Sequence, residues 1–228
     1  MPGSTTMIRT ARLPLMTALA AGALSALLPC CSPDSGFNTV ADYDVVATHF
    51  NPETDFGAFN AFALPDTVVH LRAPDGESGA DLSRDYDSLI VATIRENIEA
   101  MGYRYVPEES LDLHMPDVFV LVSASLAEWA TGSGDWWERW GWYPHWPGRW
   151  GPGWRTYYPY PINYFYRSGT VFIDMFDPQQ TDPEAERIFL CWTASINGLM
   201  VDMPEGARSR IVKKIDQAFI QSPYLAGQ

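Results

Sequence analysis

The chain has 228 residues, of which 46% are hydrophobic, 14% aromatic and 19% charged, with 15 basic against 28 acidic residues for a net charge of −13. That leaves room for one good-sized domain or two small ones, and the composition is that of a globular protein, not a disordered one. So acidic a chain argues against nucleic acid as a partner and against charge-driven adhesion to anionic headgroups.

In chain order, the first thirty residues stand apart. Arg9 and Arg12 precede an apolar, small-residue run, Leu13–Leu28, and no acidic residue occurs before Asp34. A basic stretch followed by a hydrophobic one reads as a secretory signal. A spanning helix takes about 20 apolar residues, whereas this run is shorter and is interrupted by Pro14 and Thr17. The segment ends Leu27-Leu28-Pro29-Cys30-Cys31-Ser32. Here it resembles a bacterial lipoprotein signal, in which a leucine three residues before a cysteine and a small residue just before it mark cleavage. Taking Cys31 as the lipidated residue puts Leu28 and Cys30 at those positions; taking Cys30, the alternative, puts Pro29 directly before the cut. Cleavage removes two arginines and no acid, so the mature net charge is −15, and membrane attachment is expected through the lipid. With Cys31 acylated, Cys191 stands alone; with Cys30 acylated, a Cys31–Cys191 bridge is open. Cys191 itself lies in a strand pattern and reads as a packed thiol. Ser32 replaces the aspartate that in many enteric-type bacteria retains lipoproteins at the inner membrane, so the expectation is a periplasm-facing protein of the outer membrane.

Residues 31–41 form a short polar tether, and 42–228 are expected to make a single domain. Asp42–Phe50 is the first strand candidate, with Tyr43, Val45 and Ala47 on one side. Asn51-Pro52 starts a turn, Asp55-Phe56-Gly57 continues it, and Ala58–Leu64 returns as a strand. That tripeptide matches a kinase metal-binding triplet, but no Gly-rich loop, strand lysine or catalytic loop accompanies it, so it reads as a turn. Pro65–Ala80 is a loop. A helix is predicted from Asp81, with Tyr86, Leu89, Ile90, Thr93, Ile94, Asn97, Ile98 and Met101 on one face and Gly102 as its C-terminal cap. Arg84, Asp87, Arg95, Glu96 and Glu99 occupy its remaining, solvated side, with no histidine at ligand spacing from the glutamates. Tyr103–Val106 is a short strand.

Three strand-like runs organise the remainder: Asp117–Leu126, Thr170–Phe176 and Arg187–Ile196. Alternation places Val118, Val120, Val122, Ala124 and Leu126 on one face, then Val171, Ile173 and Met175, then Ile188, Leu190, Trp192, Ala194 and Ile196. Asp202-Met203-Pro204-Glu205 has the composition of a helix start. The apolar stripe Ala207, Ile211, Ile215, Ala218 and Phe219 follows, until Pro223 ends the helix. The predicted fold is α+β: a mostly antiparallel sheet of about five strands, two helices packed on one face, and a long aromatic loop.

That loop spans 129–166. It carries Trp136, Trp137, Trp140, Trp142, Trp146, Trp150 and Trp154, then Tyr157, Tyr158, Tyr160, Tyr164 and Tyr166, separated by prolines and glycines that exclude a regular helix or a central strand. So many tryptophans are uncharacteristic of a disordered segment. Three readings stand: rings folded back to finish the core, a platform for a flat ligand such as a sugar of a cell-wall glycan, or rings at the membrane headgroup level. As a contact surface, the residues singled out are Trp136, Trp137, Trp140, Trp142, Trp146, Trp150, Trp154, Tyr157 and Tyr158.

Catalytic and metal motifs are not found in the sequence. His49, His70, His114 and His145 are scattered, and there is no nucleophile elbow, phosphate-cradling loop or Cys-x-x-Cys. Ser123, Ser125 and Ser195 fall in strand patterns. Asp174 with Asp177, or with a helix or loop carboxylate, is the one acid–base pair that could be assembled, the basis of an alternative reading as an envelope glycan hydrolase; a purely structural envelope protein is another alternative. The expectation is a non-enzyme without cofactor or metal, whose partners are the membrane through its lipid and an envelope protein or cell-wall glycan.

Several segments in order resemble bacterial lipoproteins carrying the domain of unknown function 4136: Asp42-Tyr43-Asp44, Asp55–Ala63, Met101-Gly102-Tyr103, Pro116–Val120, the aromatic loop, Gly169–Asp174 and the strand around Trp192. The resemblance spans nearly all of the mature chain. It implies a periplasm-facing lipoprotein with an α+β domain and carries no established activity or catalytic residues.

Overall fold

The computed structural model describes residues 45–71, 84–125, 129–131, 155–157, 164–166, 169–197, 199 and 206–226. Its strands are β1 (Val46–Phe50), β2 (Ala61–Ala63), β3 (Val69–Leu71), β4 (Arg104–Tyr105), β5 (Val118–Ser125), β6 (Trp129–Thr131), β7 (Arg155–Tyr157), β8 (Tyr164–Tyr166), β9 (Thr170–Asp182) and β10 (Arg187–Ile196); its helices are α1 (Asp87–Ala100) and α2 (Ala207–Ile220). The α+β class holds, but the sheet is larger and more mixed than predicted. Eight strands run in the order β1-β10-β9-β5-β2-β4, with β3 also on β5 and β7 also on β10. The long ladders β1–β10, β10–β9 and β5–β9 are antiparallel. The short ones, β2–β4, β2–β5, β3–β5 and β7–β10, are parallel. Of these, β2 and β4 fall within the predicted strands Ala58–Leu64 and Tyr103–Val106, whereas β3 and β7 are too brief to show alternation, which is why sequence periodicity passes over them.

Register explains which side chains form the core. Across the sheet Val120, Met175, Trp192 and Phe50 stand opposite one another, as do Ala124, Val171, Ile196 and Val46. This face meets Ile90, Ile94 and Ile98 of α1 and Ile211, Ile215, Ala218 and Phe219 of α2 in one buried cluster. The predicted stripes of both helices are therefore the buried ones, each large aliphatic side chain contributing roughly 1.5–3 kcal/mol of transfer free energy. The other face buries Phe119, Leu121, Phe176, Ile188 and Leu190 with Ala61, Ala63, Val106 and Leu111, so β5 and most of β9 are covered on both sides.

Two face assignments are corrected. Ile188 and Leu190 do not share Trp192's side: the register slips by one residue at Cys191, and a bulge of that kind turns the strand over. In β1 it is Val46, not Val45, that packs on the helical cluster, while Val45 is half exposed. Leu126 and Tyr43 lie outside the described residues. The turn between β9 and β10 is also tighter than the stretch Thr181–Glu186 suggests. β9 continues to Asp182 through an unpaired stretch at 177–180, where Pro178 forfeits no ladder bond, and the reversal takes only residues 183–186. Asp182 Oδ1 accepts from the amides of Glu184 and Ala185, and Glu186 adopts φ 52°.

The helices start later than expected. α1 begins at Asp87, not Asp81, and α2 begins at Ala207 behind Gly206; the Asp202–Glu205 segment lies outside the described residues. The ends agree with the sequence. Gly102, at φ 99°, donates to Glu99 O while Tyr103 donates to Ile98 O, a left-handed cap that glycine adopts without strain. Asp55 Oδ1 accepts from Gly57 N, making that tripeptide the predicted turn. Two distant segments meet through one carboxylate: Asp117 Oδ2 accepts from the amides of Asn60 and Ala61, and its own amide donates to Ala61 O. That clamp sets the parallel start of β2 on β5.

Candidate functional site

Two regions could carry function: the aromatic excursion and a buried polar row on the sheet face away from the helices. The excursion is not wholly a loop. Its ends pair as β6 and β8, Trp129 opposite Tyr166, Ala130 opposite Phe165 and Thr131 opposite Tyr164. Within it, β7 adds in parallel to β10, Arg155 to Tyr157 against Arg187 to Phe189. Each of these three-residue pieces is free of proline and glycine, so each can pair although the segment as a whole cannot form a long strand. Tyr157 meets Phe189 edge-to-face at 5.6 Å, and the Arg187 guanidinium sits 4.8 Å above the Tyr157 ring. Tyr157 and Phe189 are half-buried and Arg187 is exposed, a geometry suited to stacking and cation–π contact. Of the nine aromatic residues singled out, Tyr157 alone is described; Trp136, Trp137, Trp140, Trp142, Trp146, Trp150, Trp154 and Tyr158 lie outside the described residues, as do Cys30 and Cys31. Phe189 and Arg187 were missed by sequence reasoning, since only the β7–β10 register brings them to Tyr157.

The polar row crosses β5, β9, β10 and β1: Leu121, Asp174, Thr193 and His49 stand in register, with Ser123, Phe172, Ser195 and Ala47 beside them. Asp174 is fully buried. Thr193 Oγ1 donates to Asp174 Oδ1 at 2.5 Å, while Asp174 Oδ2 has no hydrogen-bond partner among the described residues. Burial drives the Asp174 pKa well above the usual carboxylate range, and the threonine bond opposes this only partly. Burial likewise lowers the His49 pKa. Inside the sheet the Asp174 carboxyl serves as a hydrogen-bonding group to Thr193. Asp177, its suggested companion, is itself buried and uses Oδ1 to accept from Gln179 N. Asp174 and Asp177 are thus both buried in the sheet and not open to solvent.

Several other polar side chains have structural partners. His70 is not in a loop but on β3, and its Nε2 lies 3.0 Å from Asp87 Oδ1, with Arg84 Nη1 donating to Asp87 Oδ2 at 3.2 Å. Asp87, assigned to the exposed side of α1 by its spacing, is buried at the helix N-terminus, where a carboxylate is favourable. Glu99 pairs with Arg95 on the exposed side as expected. Cys191 is a free, buried thiol; its Sγ donates to Met175 O at 3.3 Å, and burial raises its pKa. Ser123, Ser125 and Ser195 are buried sheet residues. Among the described residues no cluster of His, Cys, Asp and Glu could hold a metal ion, and no helix is long and apolar enough to cross a membrane.

The family model "Domain of unknown function (DUF4136)" matches residues 46–224. A crystal structure of a DUF4136 family protein from Bacteroides thetaiotaomicron is 26% identical, covers 80% of this chain and 97% of its own, and superposes with a TM-score of 0.57. A PelC dodecamer from Paraburkholderia phytofirmans is 14% identical over 81% of this chain and 99% of its own, at a TM-score of 0.36. A PDZ domain protein from Parabacteroides distasonis is 12% identical over 78% of this chain and 35% of its own, at 0.37. No curated protein matches the chain.

Proposed function

We propose, on the premise that this chain belongs to the DUF4136 family, that it is a lipid-anchored, periplasm-facing lipoprotein of the bacterial cell envelope. It is non-catalytic and acts as a binding or assembly component. The anchor is Cys31, or Cys30 as the alternative, and the retaining membrane is the outer one. The contact surface is the aromatic excursion, offered to an envelope protein or a cell-wall glycan. One observation carries this reading: the excursion is tied at both ends by β6–β8 and again by β7–β10, with Tyr157, Phe189 and Arg187 forming a part-exposed aromatic and cationic group at its root. A segment held in this way can present its rings without paying the full ordering entropy on binding.

The test is the combined replacement of Trp140, Trp142 and Trp146 by alanine. Pelleting with purified cell-wall glycan, and cross-linking to envelope proteins in the native membrane, are expected to fall at least about tenfold, since truncated aromatic anchors commonly cost 2 kcal/mol or more of binding. The thermal midpoint is expected to stay within about 2 °C of wild type, as for surface substitutions. A variant that unfolds instead would place those rings in the core and remove the site.

A further inference from the structure

α2 departs from the chain's overall charge. It holds four of the 15 basic residues, Arg208, Arg210, Lys213 and Lys214, and one of the 28 acidic ones, Asp216. Its inward stripe is spent on the core, and its outward side faces a shallow groove shared with α1, of about 680 Å³, lined by Leu89, Arg208, Val212, Lys213, Asp216 and Ile220. Arg208 and Lys213 are exposed, and Ile220 is 77% exposed, unusually high for an isoleucine. An outward helix side that combines basic and aliphatic residues fits an anionic lipid surface, the cations at the headgroups and the aliphatic side chains at the acyl boundary.

The position of α2 supports the same partner. Arg210 Nη2 donates to Leu199 O at 3.2 Å, holding the first turns of α2 beside the end of β10. At that same end Asn197 N donates to Val45 O at 3.0 Å, where the chain comes in from its N-terminal segment to start β1. The end of the sheet at which β1 starts is therefore also the end where the basic helix begins. Net charge does not decide the matter, because at physiological ionic strength charges more than about 8 Å from the headgroups are largely screened. The nearest charges set the orientation.

We infer that the outward side of α2 rests on the surface of an anionic phospholipid bilayer, fixing how the domain stands on its membrane. This rests on the lipid-anchored reading above for bringing the bilayer within reach. The test uses the full acylated chain, purified from a bacterial host and incorporated into vesicles of phosphatidylcholine alone or with phosphatidylglycerol. A thiol is introduced by Ser209→Cys beside the groove, or as a control by Asp112→Cys in the exposed loop between β4 and β5, and is labelled with a membrane-impermeant maleimide. Labelling at 209 is expected to slow about tenfold on the phosphatidylglycerol vesicles only, labelling at 112 to be unchanged, and the added charge reversals Arg208→Glu and Lys213→Glu to abolish the slowing; each basic residue near such a surface is worth about fivefold. Equal rates at 209 on both vesicle types overturn the inference, as does equal slowing on both, or protection already present in detergent through a second copy or another protein. Failure to float with phosphatidylcholine vesicles counts against the anchor alone. The inference is then decided by flotation with phosphatidylglycerol and its loss on charge reversal.

Discussion

Replacing Trp192 by alanine is expected to destabilise the domain by about 3–5 kcal/mol, lowering its thermal midpoint by about 6–20 °C. Trp192 is fully buried in β10, directly under α2, its ring 5.4 Å from Phe219. Its indole Nε1 donates to Ser222 Oγ at 2.9 Å, and the same oxygen accepts from the Tyr224 hydroxyl at 3.1 Å. Alanine would open a cavity between sheet and helix and deprive the buried Ser222 hydroxyl of a partner at once. Trp192→Phe keeps most of the apolar volume and loses the hydrogen bond, so it is expected to cost about 1–2 kcal/mol. Chemical denaturation of both variants checks this, and a loss below about 1 kcal/mol for alanine would mean that the helix layer is not locked to the sheet through this side chain.

The second large effect concerns Asp174. Its folded pKa lies above its unfolded value of about 3.9, so the folded state holds a proton that the unfolded state releases. The stability contributed is complete below the unfolded pKa and is lost as pH rises towards the folded one. His49 acts in the opposite sense: with its folded pKa below about 6.5, it reduces stability as the pH falls below that value. Comparing wild type with Asp174→Asn isolates the aspartate. The variant, which cannot ionise, is expected to gain steadily on wild type from pH 4 upwards. Thr193→Val removes the donor to Asp174 Oδ1 and is expected to cost about 1–3 kcal/mol. Parallel melting curves for Asp174→Asn and wild type across pH 4–8 would show that the carboxyl is ionised or solvated, contrary to its burial.

What the sequence discloses and what it hides divide along a physical line. The stripe Ala207, Ile211, Ile215, Ala218 and Phe219 is legible because its spacing is fixed by one helix, and every member is buried. Alternation in β5 and the first half of β9 is legible for the same local reason. Features that depend on a distant partner are not. The bulge at Cys191, which carries Ile188 and Leu190 to the other face, is set by pairing with β9. β3 and β7 become strands only because β5 and β10 are there to receive them. Asp87 looks like a solvated helix residue until His70 arrives from β3. At the candidate site, the aromatic density of 129–166 is plain from composition, whereas the Tyr157–Phe189–Arg187 group depends on a register between segments some thirty residues apart. The Asp117 clamp on Asn60 and Ala61 joins two short segments that the sequence shows only as separate pieces.

The proposed role requires the domain to be held at an envelope membrane by its N-terminus. The decisive measurement is the intact mass and N-terminal fragment spectrum of the mature protein from a native host. A chain starting at Cys31, or at Cys30, and carrying a diacylglycerol-type lipid on that cysteine is the predicted result. A chain that keeps its first thirty residues, or whose terminal cysteine bears a free thiol, would contradict it.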